Sequence, residues 1–171
     1  MILLIDAFNL IYKFPDLELL MYENKLADAR KGLLKLLHNY KRKRKHNKIH
    51  IFFDGKKEQG SMVVEDVWEE MRLYYSHDIK ADDCIKDYIQ KSLSHNDVYL
   101  VTSDKDLIHH GKRFGCKNFK SEEFAKIVSD TLSENEALEE KSSEIQLSPD
   151  EVSFWYGLFK GNNNAGKKPN R

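Results

Sequence analysis

Three short apolar runs in this chain each stop at an acid. Ile2-Leu3-Leu4-Ile5 ends at Asp6, Ile49-His50-Ile51-Phe52-Phe53 at Asp54, and Val98-Tyr99-Leu100-Val101-Thr102 at Ser103-Asp104. Runs of this length, bounded by turn residues, read as buried strands. Between them the periodicity is helical. Leu26, Arg30, Leu33, Leu37 and Tyr40 predict a helix over 25–45, and Ala81, Ile85, Tyr88, Ile89 and Leu93 predict another over 80–93. Strands alternating with helices predict a parallel sheet with right-handed crossovers. In such a sheet the carboxyl ends of the strands open onto one crevice, so acids far apart in sequence are expected to converge there.

The remaining elements follow from local signals. A turn-like stretch is expected around Pro15, a strand near 72–75, a short helix ending near Gly111 or Gly115, and a last strand over 116–119. Ser121 has the chemistry of a cap for the helix that follows, with Glu122 and Glu123 favourable in its first turn. Residues 61–70 carry no pattern that assigns them. Beyond 130 the composition turns acidic and polar, and Ser148-Pro149-Asp150-Glu151 forms a capping box ahead of the stripe Val152, Trp155, Tyr156 and Phe159. The expected organisation is therefore a catalytic-type α/β domain over 1–130, an acidic helix extension or linker over 131–147, a short aromatic helix over 148–161 and a disordered tail over 162–171.

Length and charge bound the function. A chain of 171 residues fits one domain with a proper core. Its 28 Lys+Arg equal its 28 Asp+Glu, so any attraction to nucleic acid must come from local patches. The first apolar run is too short for a signal-peptide core or a membrane span, which leads us to expect a cytoplasmic protein with no membrane partner. Cys84 and Cys116 show neither disulfide nor zinc spacing and read as packed thiols.

The chemistry lies in the acids. Two carboxylates about 4 Å apart repel by roughly 4 kcal/mol at an effective dielectric near 20, so a converging set calls for a cation. Asp6 and Asn9 offer hard oxygen donors suited to Mg2+ or Mn2+, although the same pair also suits a turn bonded to backbone N–H groups. Asp82 falls on the Ile85 and Ile89 side of its helix and Asp83 nearly opposite, which makes Asp82 the better ligand; either acid also gains from the helix dipole without any function. Ser103 and Asp106 resemble a capping box that leaves Asp104 unexplained. Asp54 reads as a turn or rim residue. Because such acids recur at three strand ends and one helix start, a shared divalent-metal site is the better reading. On that reading repulsion strains the metal-free protein, and Asp6→Asn should raise its melting temperature.

Ile5-Asp6-Ala7-Phe8-Asn9, Phe53-Asp54-Gly55, Ala81-Asp82-Asp83-Cys84-Ile85 and Val101-Thr102-Ser103-Asp104, with the closing Val152–Phe159 segment, resemble in order and spacing the YacP-like branch of the NYN domain family, within the PIN-like nuclease superfamily. The resemblance covers the chain to about residue 160. It implies a three-layer α/β/α fold with a mainly parallel sheet of about five strands. It also implies a divalent-metal endoribonuclease without an organic cofactor, and one known member type cuts messenger RNA on the ribosome. Carried over, Asp6, Asp82 and Asp104 are the catalytic acids, these three with Asp83 bind metal, and Asn9, Asp54, Ser103 and Asp106 support them.

RNA contacts must come from basic side chains. Lys41-Arg42-Lys43-Arg44-Lys45 is the densest run, with a solvated helix end as the equal alternative; Lys13, Lys56, Lys57 and Lys105 fall nearer the expected crevice. Metal-assisted hydrolysis needs no histidine, so His77, His109 and His110 read as exposed or capping residues. Trp155, Tyr156 and Phe159 read as packing against their own domain rather than stacking on bases. Two other classes compete. A non-cleaving RNA- or ribosome-binding module would show salt-dependent binding without turnover. An aspartyl-phosphate enzyme would need an acid two residues after Asp6, where Phe8 stands.

Overall fold

The computed structural model describes residues 1–45, 47–55, 64–76 and 79–143. Its six strands are β1 (Ile2–Asp6), β2 (Lys48–Phe53), β3 (Val64–Trp68), β4 (Met71–Tyr75), β5 (Val98–Val101) and β6 (Lys117–Phe119). The α-helices are α1 (Ala7–Ile11), α2 (Pro15–Tyr22), α3 (Leu26–Lys43), α4 (Ala81–Lys91), α5 (Lys105–Arg113) and α6 (Ser121–Ser143). One sheet contains all six strands in the order β3-β4-β2-β1-β5-β6. All pairs are parallel except the β3–β4 edge hairpin.

The strand residues alternate between two cores. Leu3 and Ile5 of β1, Ile49, Ile51 and Phe53 of β2, and Val101 of β5 pack with Leu10, Leu33, Leu37 and Phe124 on one face. Leu4, Phe52, Val98 and Leu100 face the other way, against Ile85, Ile89 and Leu107 of α4 and α5. This gives the expected three layers. Most of these side chains are fully buried, each contributing roughly 1.5–3 kcal/mol relative to exposure.

The structure corrects several expectations. The mainly parallel sheet is as expected and has six strands among the described residues, the one without a sequence signal being β3, within the unassigned stretch 61–70. Its hairpin turns through Glu69 and Glu70, both at positive φ, 49° and 60°. Two-residue hairpins need that conformation but normally announce it with Asn or Gly, so this turn left no signal. The stretch around Pro15 is helical: α1 starts on the Asp6 cap, and Pro15 occupies the first position of α2, where its missing N–H costs nothing.

Ser121 is not a cap. Its N–H donates to Ser103 Oγ, its own hydroxyl has no hydrogen-bond partner among the described residues, and Glu123 instead accepts from the Lys120 N–H in half of a capping box. α5 ends at Arg113, and Gly115 just beyond it, at φ +84°, lets Cys116 N–H and Gly115 N–H close on the carbonyls of Gly111 and Lys112. Chain contacts divide into Met1–Ser133 and Glu134–Arg171, with α6 running from the first into the second. The helix expected at 148–161 and the tail at 162–171 lie outside the described residues. Among the described residues no helix is long and apolar enough to cross a membrane.

Candidate active site

Pleating places the acids on one face. Asp6, Asp54 and Thr102 each follow by two residues a side chain of the α4/α5 core: Leu4, Phe52 and Leu100. β1 and β5 are neighbours in the sheet although four strands apart in sequence order, while β2, the next strand after β1, lies on its other side. This is the topological switch point at which open α/β sheets bind ligands.

Asp6 is the innermost acid, 5 % exposed. Its Oδ1 accepts from the Asn9 N–H at 3.3 Å, capping α1, while Oδ2 accepts from Asn9 Nδ2 at 2.6 Å and from Thr102 Oγ1 at 3.0 Å. Burial pushes its pKa up, and these bonds, with Asn9 foremost, pull it back. Thr102, itself fully buried, also accepts from the Asp104 N–H at 3.1 Å. One hydroxyl therefore joins the acid of β1 to the acid after β5. Sequence reasoning missed it because threonine at a strand end reads as ordinary β propensity.

Asp104 caps α5. Its Oδ1 accepts from Asp106 N–H at 2.8 Å and Leu107 N–H at 2.9 Å, whereas Oδ2 makes no hydrogen bond to a described residue. The expected cap, Ser103, donates instead to Glu122 Oε2 at 2.7 Å. Glu122 also pairs with Lys13 at 2.8 Å, and hydrogen bonds from Lys13 and Ser103 pull its pKa down to about 2. Asp106 is turned to Lys86 of α4 at 2.7 Å and is mostly exposed.

Asp54 is more than a rim residue. Its Oδ1 accepts from the Ala81 N–H at 2.8 Å and from Ser76 Oγ at 3.3 Å, tying the end of β2 to the start of α4. Gly55, at φ +88°, makes the turn just beyond it. The Arg30 guanidinium donates to the Asp54 carbonyl and lies 5.5–6.0 Å from the ring centroids of Phe8, Phe53 and Tyr75. That packing explains an arginine in the apolar stripe of α3.

Asp82, at the second position of α4, completes the group. Burial raises its pKa most, followed by the charges of Asp6, Asp104 and Asp54. Its carboxylate accepts no hydrogen bond from a described residue, in contrast to those of Asp6 and Asp104. Asp83 is exposed and points away from the α4 core, as helical spacing expects. Among the described residues no group of three or more His, Cys, Asp or Glu is drawn together tightly enough to hold a metal by itself. The donor set still fits Mg2+ or Mn2+, because such ions keep several waters and take only one or two carboxylates alongside a substrate phosphate.

The basic residues divide between the two ends of the sheet. Lys13, in the Glu122 pair, and Lys105, at the start of α5, lie toward the acids. Lys41, Arg42 and Arg44 lie at the amino end, where α3 leads into β2 and the Lys48 N–H bonds the Met1 carbonyl. Lys41 is paired with Glu70 there, and Lys43 donates to the Thr131 and Leu132 carbonyls at 2.9 and 3.2 Å. Lys56, Lys57 and His77 fall outside the described residues. His109 is exposed, and His110 packs on Phe114 with centroids 5.0 Å apart. A groove of about 680 Å³ beside α4, floored by Phe52, Tyr74 and Tyr88, contains none of the four converging acids.

A family model for the YacP-like NYN domain matches residues 3–155. The chain belongs to that family. Two solved structures share its fold. The crystal structure of Rae1 (YacP) from Bacillus subtilis as a tryptophan-to-leucine mutant has a TM-score of 0.67 at 21% identity, over 88% of this chain and 89% of that one. The crystal structure of Rae1 (YacP) from Bacillus subtilis gives 0.62 at 20%, over 98% and 99%. No curated protein matches the chain. NYN family membership carries a nuclease-type function directed at RNA.

Proposed function

We propose that this NYN domain is a divalent-metal-dependent endoribonuclease hydrolysing RNA phosphodiester bonds at the carboxyl end of its sheet, with messenger RNA on the ribosome as the substrate that the sequence resemblance implies. The observation that carries this reading is Asp82, a partly buried carboxylate near the charges of Asp6, Asp104 and Asp54 that accepts no hydrogen bond from a described residue. Burial and the neighbouring acids disfavour its charge by more than Lys86 and the helix start recover, so its pKa is raised. Such an arrangement suits a cation delivered from solution.

Asp6, Asp82 and Asp104 are the acids to hold Mg2+ or Mn2+, directly or through water, and Asp83 and Asp54 flank them. When bound, the ion supplies Lewis acidity toward the phosphate and neutralises charge on the leaving oxygen. The chain supplies positioning. Thr102 and Asn9 fix the rotamer of Asp6, the α5 backbone fixes that of Asp104, and Asp54 fixes the start of α4 and thereby Asp82. Preorganisation of this kind lets the acids act without rearranging as the phosphate is attacked.

The test is cleavage of a single-stranded RNA by purified protein in Mg2+, in Mn2+ and in chelator, with Asp104→Asn alongside. Asparagine also caps helices, so this variant should fold. Cleavage that needs metal and is lost in the variant supports the proposal. Equal cleavage in all arms, or binding without cleavage in any, overturns it; the latter outcome establishes the RNA-binding module.

A further inference from the structure

Lys86 occupies a place in this site that neither its sequence context nor the family assignment points to. It follows Asp82 by four residues on α4, so the two side chains share one helix face. Its ammonium reaches across to α5 and meets Asp106 Oδ2 at 2.7 Å, two residues after the Asp104 cap. The stem is well covered, with 27 % of the side chain exposed, while Asp106 is 79 % exposed. The cation is thus bracketed by elements that carry two of the proposed metal acids. The electrostatics agree: Asp106, Asp82 and Asp83 all favour its charged form. An ammonium has three donors and Asp106 uses one, which leaves two for another acceptor.

We propose that Lys86 is a substrate-binding residue, anchored by Asp106 so that its ammonium takes a non-bridging oxygen of the RNA backbone beside the acid group. Acids alone repel a polyanion, and the densest basic run of the chain stands at the other end of the sheet. A fixed cation one helical turn from Asp82 gives the phosphate a partner at the place where the acids need it. Lysine suits this role as a compact point charge on a flexible stem. The inference rests on the nuclease reading above and adds to it the residue that receives the backbone.

The experiment compares wild type, Lys86→Met, Lys86→Gln, Lys86→Arg and, as a control, Lys35→Met at an exposed position of α3. Binding of a fluorescent single-stranded RNA is measured in chelator across a salt series, and steady-state cleavage is measured in Mn2+. Removing one phosphate contact should lower the slope of log affinity against log salt by roughly 0.7, the value for a single strand. Lys86→Met and Lys86→Gln should both show that loss, with KM raised about tenfold and kcat changed far less. Lys86→Arg should restore most of the affinity, and Lys35→Met should match wild type. A purely structural role for the Lys86–Asp106 pair would shift the melting temperature without altering the salt slope. If wild type binds and cleaves while both neutral variants keep its slope and KM, the inference is overturned and the nuclease reading stands. If wild type neither binds nor cleaves RNA, the nuclease reading falls, and this inference with it.

Discussion

The two ends of the sheet use charge in opposite ways. At the amino end, α3 finishes on a conspicuous basic run, yet Lys41 is paired with Glu70 and Lys43 donates to two carbonyls within α6. At the carboxyl end Asp82 lies within reach of the charges of Asp6, Asp54 and Asp104, acids scattered over the sequence, and accepts no hydrogen bond from a described residue. Two of the five charges in the dense run are thus engaged in structure, while dispersed single charges form the candidate site. Net charge per segment carries little information about function; the place at which each strand stops carries much.

The sharpest way to break that contrast is to neutralise one residue at each end. Asp82→Asn should cut RNA cleavage on the order of a hundredfold or more, as loss of a preorganised charge does, while the metal-free protein melts at a higher temperature than wild type. The sign of the stability change depends on pH. Asp82 has a folded pKa above the usual 3.8, so the folded state holds the proton more tightly. Ionisation then costs stability as pH rises from about 4 through the folded value. The advantage of Asp82→Asn should be full above that window and vanish below it, as thermal melts in chelator between pH 3 and pH 8 would read. A variant with no advantage at neutral pH would show that the acids do not strain one another.

Thr102→Val tests the buried hydroxyl. It removes a donor to Asp6 and an acceptor for the Asp104 N–H, and should cost about 1–3 kcal/mol in chemical denaturation and about tenfold in cleavage, with Thr102→Ser close to wild type. Equal cleavage by the valine variant would release Thr102 from any part in placing the acids. Lys43→Met should lose about 1 kcal/mol, the ordinary worth of such hydrogen bonds, with RNA affinity unchanged. The smallest effect is expected at the exposed pair: Arg42→Ala with Arg44→Ala should leave stability within about 0.5 kcal/mol and KM unchanged. A large rise in KM there would return the basic run to the binding surface.

Asp6→Asn illustrates where sequence reasoning reaches its limit. Read as one of several repelling acids, Asp6 should become more stable as asparagine. In the structure its two oxygens accept three hydrogen bonds, and an amide NH2 in place of Oδ2 would face the donors of Asn9 and Thr102. The variant is now expected to lose stability, by about 1–3 kcal/mol. Repulsion can be inferred from a list of acids, and the backbone bond from Asn9 from turn chemistry, but not the bonds from the Asn9 amide and Thr102.

The same division runs through the rest of the chain. β1, β2, β5 and the long helices were legible because apolar period and strand-end chemistry agree at every step. The β3–β4 hairpin was hidden by Glu69 and Glu70, which adopt positive φ without the residues that signal it. α1 and α2 were hidden because Pro15 serves equally at a turn and at the first position of a helix. Asp104 and Ser103 are both cap formers, and only the pull of Glu122 and the Ser121 N–H on Ser103 decides which one caps. Lys86 was overlooked since a lysine one turn after an acid ordinarily means a solvated helix face.

Acids from β1, α4 and the end of β5 are held to act together on one divalent ion. Titrating Mn2+ into the protein and following the free-ion electron paramagnetic resonance signal measures this without relying on activity. Wild type should take up Mn2+ saturably, and both Asp82→Asn and Asp104→Asn, each folded by circular dichroism, should lose most of that uptake. Uptake that is absent in wild type, or that survives intact in both variants, would rule out a shared metal site.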